Sequence, residues 1–364
     1  MDFNLHGIAG LRVIDAAPAD LRAVTRRLGL PPHPLDHDPD ITVRFVDHIP
    51  VPPTTRYLGR NDVAFTQDAF FVLQRARGEV RKVQIPFEQL GAPCEIVCER
   101  GLAGIPLLIP ALNLTMLGKN FVPLHASAFI RDGIGVVVTG SARGGKTSAL
   151  LAFMAAGAQY VSDDWVYISA DGRRMYGLPT PITLRESHLH ALPAYRARMR
   201  GRQRLRLRAL ALGSNSRLLR RLERHDALKV FAKAARIAEE RGYVETAPAA
   251  LFGAASCPLV GTPEKIFLTV GHALPTVTIE RTSGRDTLDR IALSLEHEWL
   301  PLRSYYLKAR FAFPTLENPL IEQVGKLELA ALARAFAGKE IYVLSHPVPA
   351  PAAELFDAVS SVLE

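Results

Sequence analysis

Residues 140–147 read Gly-Ser-Ala-Arg-Gly-Gly-Lys-Thr and fit the pattern G-x-x-x-x-G-K-[ST] without departure. The spacing has a physical reason. Glycines let the backbone curl until successive N–H groups converge on a phosphate. The helix that follows directs its positive end at the same anion. Lys146 is then spaced to reach the β- and γ-phosphate oxygens, and the Thr147 hydroxyl to ligate Mg²⁺. At ordinary glycine frequency a chance match arises in roughly one chain of this length per hundred. Here an apolar strand precedes the loop and a helix follows it, the context the motif demands. ATP and Mg²⁺ are the expected ligands. Gly140, Ser141, Ala142, Arg143, Gly144, Gly145, Lys146, Thr147 and Ser148 form the expected nucleotide-binding set.

Two further features have chemical content. Asp163 and Asp164 stand side by side at the end of the next apparent strand. There one carboxylate can hold Mg²⁺ while the other takes a proton from an attacking hydroxyl. The alternative is a solvated turn that happens to hold two aspartates. His125 precedes the loop by two strand lengths, on a strand that can neighbour it. Taken alone, a histidine there is more often structural than catalytic.

The elements that position these residues follow from periodicity. Two strands, 125–130 and 134–138, are joined by a tight turn at Arg131-Asp132-Gly133. The Gly-rich loop, a helix over 146–156 and a strand over 158–161 come next. Strand–loop–helix–strand order is the start of a phosphate-binding α/β core. Strands at 265–270, 276–280 and 340–344 and helices at 285–300, 326–337 and 352–363 complete it. Residues 1–120 read as a smaller strand-rich domain. It has a helix over 18–28 closing on Gly29 and strands at 41–46, 62–66, 69–73 and 80–85. Cys94 and Cys98 share one face if their segment is a strand, which suits core burial.

From 122 to 169 these residues resemble the HPr kinase/phosphorylase family. They resemble still more the HPr-kinase-like peptide kinases of lasso-peptide and related clusters. The likeness rests on the histidine at 125, the loop at 140–147 and the double aspartate at 163–164, with a weaker match at 341–346. It implies an α/β P-loop kinase core related to phosphoenolpyruvate carboxykinase, occupying residues 121–364. Catalytic roles would fall to Asp163 as base, His125 near the γ-phosphate and Lys146. Metal binding would fall to Thr147 and Asp164, with the two aspartates exchangeable. True HPr kinases carry Glu-x-Arg-Gly after the double aspartate, and that segment is absent here. Residues 178–186, ending in Arg185 and Glu186, occupy its place, which puts a phosphocarrier acceptor in doubt. The resemblance implies transfer to a Ser of a peptide or protein. The rivals are a small-molecule kinase, for example of free serine, and an ATP-dependent clamp without transfer. Hexamers occur among the resembled kinases, so a homo-oligomer is compatible.

Composition bounds the rest. An apolar fraction of 48% and a charged fraction of 22% describe an ordinary globular chain. The start lacks a signal-peptide pattern, and the most apolar stretch, 103–117, is too short to span a bilayer. A cytoplasmic protein without membrane partners is therefore expected. Between Tyr195 and Gly242 fifteen Arg/Lys stand against four acids, a net +11 in a chain of +8. The rest thus carries −3, and the basic character belongs to an insertion at about 193–245. Part of it, from Ser216 on, has amphipathic helical spacing. It reads first as a solvated insertion; its charge also suits an acidic peptide or anionic substrate, whereas scarce aromatics argue against nucleic acid.

Overall fold

A computed structural model describes residues 1–59, 62–76, 78–199, 201, 205, 243–282 and 285–363. Most of the basic insertion, including the helix expected from Ser216, lies outside these residues. Among the described residues the protein is a mixed α/β structure built on two large mixed sheets. No helix among them is long and apolar enough to cross a membrane.

The first sheet contains β1 (Asp2–Leu5), β2 (Ala9–Ile14), β3 (Ile41–Val46), β4 (Arg56–Leu58), β5 (Val63–Phe65), β6 (Phe70–Ala76), β7 (Glu79–Gln84) and β8 (Cys94–Glu99). Their spatial order is β1-β2-β3-β8-β7-β6-β5-β4. β2, β3 and β8 run parallel; the others pair antiparallel. Alternation in β3 places Ile41, Val43 and Phe45 in the core, as a half-buried strand requires. On β8 both Cys94 and Cys98 are buried, and burial pushes their thiols up to about 11 and about 12. α1 (Pro18–Leu28) starts on proline and closes on Gly29, whose φ of 70° is the left-handed cap that favours glycine.

α2 (Leu108–Gly118) then leads to the second sheet. It is apolar on every side, and residues from Leu108 to Leu117 are buried apart from Pro110. A helix without a polar face belongs inside, and α2 packs among residues of both sheets.

The second sheet has the order β16-β13-β12-β9-β10-β17-β19-β18, with β11 also pairing β9. Its strands are β9 (Phe121–Arg131), β10 (Ile134–Gly140), β11 (Gln159–Ser162), β12 (Trp165–Ser169), β13 (Met175–Leu178), β16 (Val260–Gly261), β17 (Lys265–His272), β18 (Thr278–Thr282) and β19 (Glu340–Pro347). β14 (Ile182–Arg185) and β15 (Tyr243–Thr246) form a separate pair. The remaining helices are α3 (Lys146–Ala155), α4 (Glu186–Ala191), α5 (Ala194–Arg198), α6 (Pro248–Phe252), α7 (Arg285–Ala312), α8 (Pro319–Ala335) and α9 (Ala352–Ser360).

Helices cover both faces of this sheet. Val136 and Val138 pack with Leu150, Phe153 and Leu355 of α3 and α9. Val137 packs with Ile291, Leu295 and Leu332 of α7 and α8 on the other side. Phe129 of β9 stacks on Phe153 at 4.5 Å and so fixes α3 to the sheet. β10, β17 and β19 run parallel, so their C-terminal ends gather at one edge. Ligands of open α/β sheets bind at such an edge.

α7 runs twelve residues beyond the end expected at Leu300, through Pro301. A proline reads as a stop because it donates no hydrogen bond. Here it lies exposed, while Leu302, Tyr306 and Ala309 continue the buried stripe.

Candidate functional site

β10 ends at Gly140, and the loop to α3 rises from the parallel edge. Gly140 has φ 135°, and a Cβ there would come within 2.8 Å of the Thr269 carbonyl oxygen on β17. Only glycine fits. Gly145 has φ 82°, with the ring of His346 and the methyl of Ala350 where a side chain would go. Between them Arg143 is held at φ 63°, a costly conformation for a residue with a Cβ. The Gly144 N–H closes the turn on the Ser141 carbonyl at 3.1 Å. α3 begins at Lys146, so its first N–H groups, without intrahelical partners, open onto the loop.

Lys146 is buried and donates to the Gly140 and Ser141 carbonyls, both at 2.9 Å. Burial lowers its pKa against the raising effect of Glu298, Asp163 and Asp164. The ammonium is thus tucked into the curl of the loop among acids, where a polyanion can draw on it.

The two aspartates occupy the turn between β11 and β12. Asp163 accepts from the Ser127 hydroxyl at 2.7 Å and from the Thr147 hydroxyl at 3.2 Å. Burial pushes its carboxyl up to about 7, against the lowering effect of those two hydrogen bonds. Asp164 lies instead 3.2 Å from His125 Nε2. The expected pairing is therefore reversed: Asp163, not Asp164, stands with Thr147. The reason is period two on β9, which puts His125 and Ser127 on one face, each meeting a different carboxylate. Trp165 pairs with His125 across the strands, and their rings stack at 5.5 Å.

His125 has a second acid. Its Nδ1 lies 2.7 Å from Glu298 Oε1, carried by α7. Burial by itself would lower the His125 pKa, but hydrogen bonds to Asp164 and Glu298 outweigh it and raise it. Burial would raise that of Glu298, and His125 outweighs it in turn. His125 is a bridge between two carboxylates.

Three contributors escaped the sequence reading. Ser127 was accessible in principle, since it alternates with His125. Glu298 has no local signal, because only the packing of α7 on the sheet brings it in. His346, at the end of β19, presents Nε2 to the Gly144 carbonyl at 3.0 Å and Nδ1 to the Pro347 carbonyl at 2.8 Å. It braces the loop from behind, and the weaker match at 341–346 ends on it without assigning it a role.

The loop opens on a cleft of about 1320 Å³. Ala142, Arg143, Gly144, Gly145, Lys146, Thr147 and Ser148 line it, with His125, Asp163 and Asp164. Arg185 lines it as well, whereas Glu186 pairs with Arg196. Among the described residues no group of three or more His, Cys, Asp or Glu is arranged to hold a metal ion. Mg²⁺ needs no such group, since it keeps several waters and takes one or two protein oxygens beside substrate phosphates. Thr147 and Asp163, whose oxygens are 3.2 Å apart, are a donor pair of that kind. The chain matches no protein-family model and no curated protein.

Proposed function

We propose that the chain is an ATP- and Mg²⁺-dependent kinase with a phosphate-loop core of the HPr kinase type. It transfers the γ-phosphoryl group to a serine hydroxyl of a peptide or protein. One observation carries this reading: the adjacent carboxylates sit in different environments beside the loop, Asp163 on Thr147 and Asp164 on His125. Acid pairs with separated surroundings divide their roles. A nucleotide clamp needs only the metal-side carboxylate.

The roles follow from the contacts. Residues 140–148 receive the triphosphate, with Lys146 toward its β- and γ-oxygens. Thr147 and Asp163 would hold Mg²⁺, which when bound neutralises charge on the phosphate oxygens. Asp163 thus takes the metal side and Asp164 the base, the exchange of roles that the sequence left open. As the serine oxygen forms its bond to phosphorus, its proton passes to Asp164. The bond from the γ-phosphorus to the bridging oxygen breaks, and ADP leaves. His125 keeps Asp164 in place and carries positive character toward the transferred group, sustained by Glu298 behind it.

The test is incubation with γ-labelled ATP and a serine peptide, free serine or no acceptor. Label should pass to the peptide. Lys146→Ala should weaken MgATP binding by a factor of about a hundred or more in calorimetric titration. If that variant binds MgATP like the parent, the reading is lost.

A further inference from the structure

The cleft is larger than the roughly 300–1,000 Å³ that holds a drug-sized ligand. Much of the additional wall comes from the first half of the chain. Ala23, Arg26 and Arg27 of α1, Gln74 of β6 and the turn at 103–107 all line it. These residues are far in sequence from the phosphate loop, yet they share one space with His125 and Asp164.

The end of α1 is fixed in that position. Gly29 abuts the Pro179 carbonyl so closely that a Cβ would come within 1.8 Å of it. His6 Nε2 lies 2.8 Å from the Gly177 carbonyl oxygen. The last turn of α1 is therefore seated on the segment that carries β14, with Thr183 and Arg185, into the cleft. Arg26 spends its charge locally, donating from Nε to Glu245 at 2.9 Å. Arg27 is exposed in the same turn and makes no ion pair among the described residues.

Resting on the kinase reading, we infer that the acceptor is an acidic peptide, and that Arg27 receives a carboxylate flanking its serine. Charge decides where that carboxylate belongs. Asp164 and Glu298 flank His125 beside the γ-phosphoryl group, so a carboxylate placed next to the reacting hydroxyl meets like charge from all three. The acceptor's carboxylate must then stand away from its hydroxyl, toward α1. A residue neighbouring the serine in a peptide satisfies this, whereas free serine carries its carboxylate next to the hydroxymethyl group. An Arg fork on a held helix end is suited to take such a group bidentately.

The experiment measures binding separately from transfer. Labelled serine peptides of one length, flanked by Glu, Gln or Lys, are titrated with the full chain, MgADP and 0.15 M salt, read by anisotropy. The Glu peptide should bind tightest and the Lys peptide weakest. Arg27→Ala should remove about tenfold of the Glu-over-Gln preference. It should leave MgATP affinity as in the parent, and Arg27→Lys should restore part of the loss. The basic insertion is present in every variant, so its pull on acidic peptides cancels when the Glu-over-Gln ratio of Arg27→Ala is compared with that of the parent. Equal binding of Glu and Gln peptides, or a Glu-over-Gln preference that Arg27→Ala leaves undiminished, overturns the inference. So does free serine competing as well as the Glu peptide. γ-Labelled ATP in the same samples separates the two readings. An acidic peptide that binds through Arg27 without receiving label removes the kinase and leaves the anion site.

Discussion

The acids of the two halves are held differently. In the first half Asp20 accepts from the Gly101 N–H at 2.8 Å and the Ala17 N–H at 3.2 Å. Asp40 accepts from the Gly10 N–H and pairs with Lys119, both at 2.8 Å. Glu99 takes the Ile49 and Lys82 N–H groups, both at 2.8 Å, and the Lys82 ammonium at 2.7 Å. Each is tied to the chain's own backbone. In the second half Asp163 and Asp164 are held by two hydroxyls and an imidazole, and both open to the cleft. A carboxylate consumed by backbone N–H groups is a staple for loops. One held by side chains keeps lone pairs available to a ligand.

The largest test of this contrast is on the reactive side. Asp164→Asn should lower phosphoryl transfer by about three orders of magnitude while changing thermal stability little, because among the described residues no backbone donor loses its partner. Single-turnover transfer beside a thermal melt measures both. A melt that collapses together with activity would make Asp164 another staple.

The converse substitution comes next in size. Glu99 is 1% exposed, and Glu99→Ala would strand two N–H groups and an ammonium. Breaking a buried pair of this kind costs about 3–5 kcal/mol. Urea denaturation should show that loss, and MgATP affinity should stay that of the parent at temperatures where the variant is folded. Were nucleotide affinity to fall with stability, the two halves would not be separable in the way their acids suggest.

How legible these two sets were differs for a physical reason. The loop at 140–147 is contiguous, so the chemistry proposed for it is written in eight adjacent letters, and Asp163 and Asp164 gain meaning from standing one helix and one strand later. α1 and β3 were legible because a single buried face imposes a period. α2 was not, since burial on all sides erases the period, and α7 was cut short because Pro301 looks like an end. The pairing of each aspartate depends on the register of β9, and the arrival of Glu298 depends on how α7 packs; neither is local. Asp20, Asp40 and Glu99 carry no sequence signal, because what distinguishes them is the backbone that curls around them.

A third kind of buried acid sharpens the contrast with the smallest effect. Glu328 of α8 is 1% exposed, and neither carboxylate oxygen has a hydrogen-bond partner of good geometry among the described residues. Burial pushes its pKa up to about 8, with nearby Glu296 adding to the rise; Trp299 and Arg303 only moderate it. The unfolded chain has an ordinary carboxyl near 4.5. Below that pH the group is protonated in both states and contributes no slope. Between about 4.5 and 8 the unfolded state has lost its proton while the native state keeps it, so stability falls as pH rises. Glu328→Gln abolishes this term. Relative to the parent, the variant should therefore gain about 1–2 kcal/mol between pH 5 and pH 7 in urea melts, within the limit of about 1.4 kcal/mol per pH unit. Asp163, also raised, adds a slope of the same sign up to about pH 7, and it remains in both proteins. Parallel stability curves for variant and parent would mean that Glu328 finds a partner in solution, placing it with Glu99 among the staples.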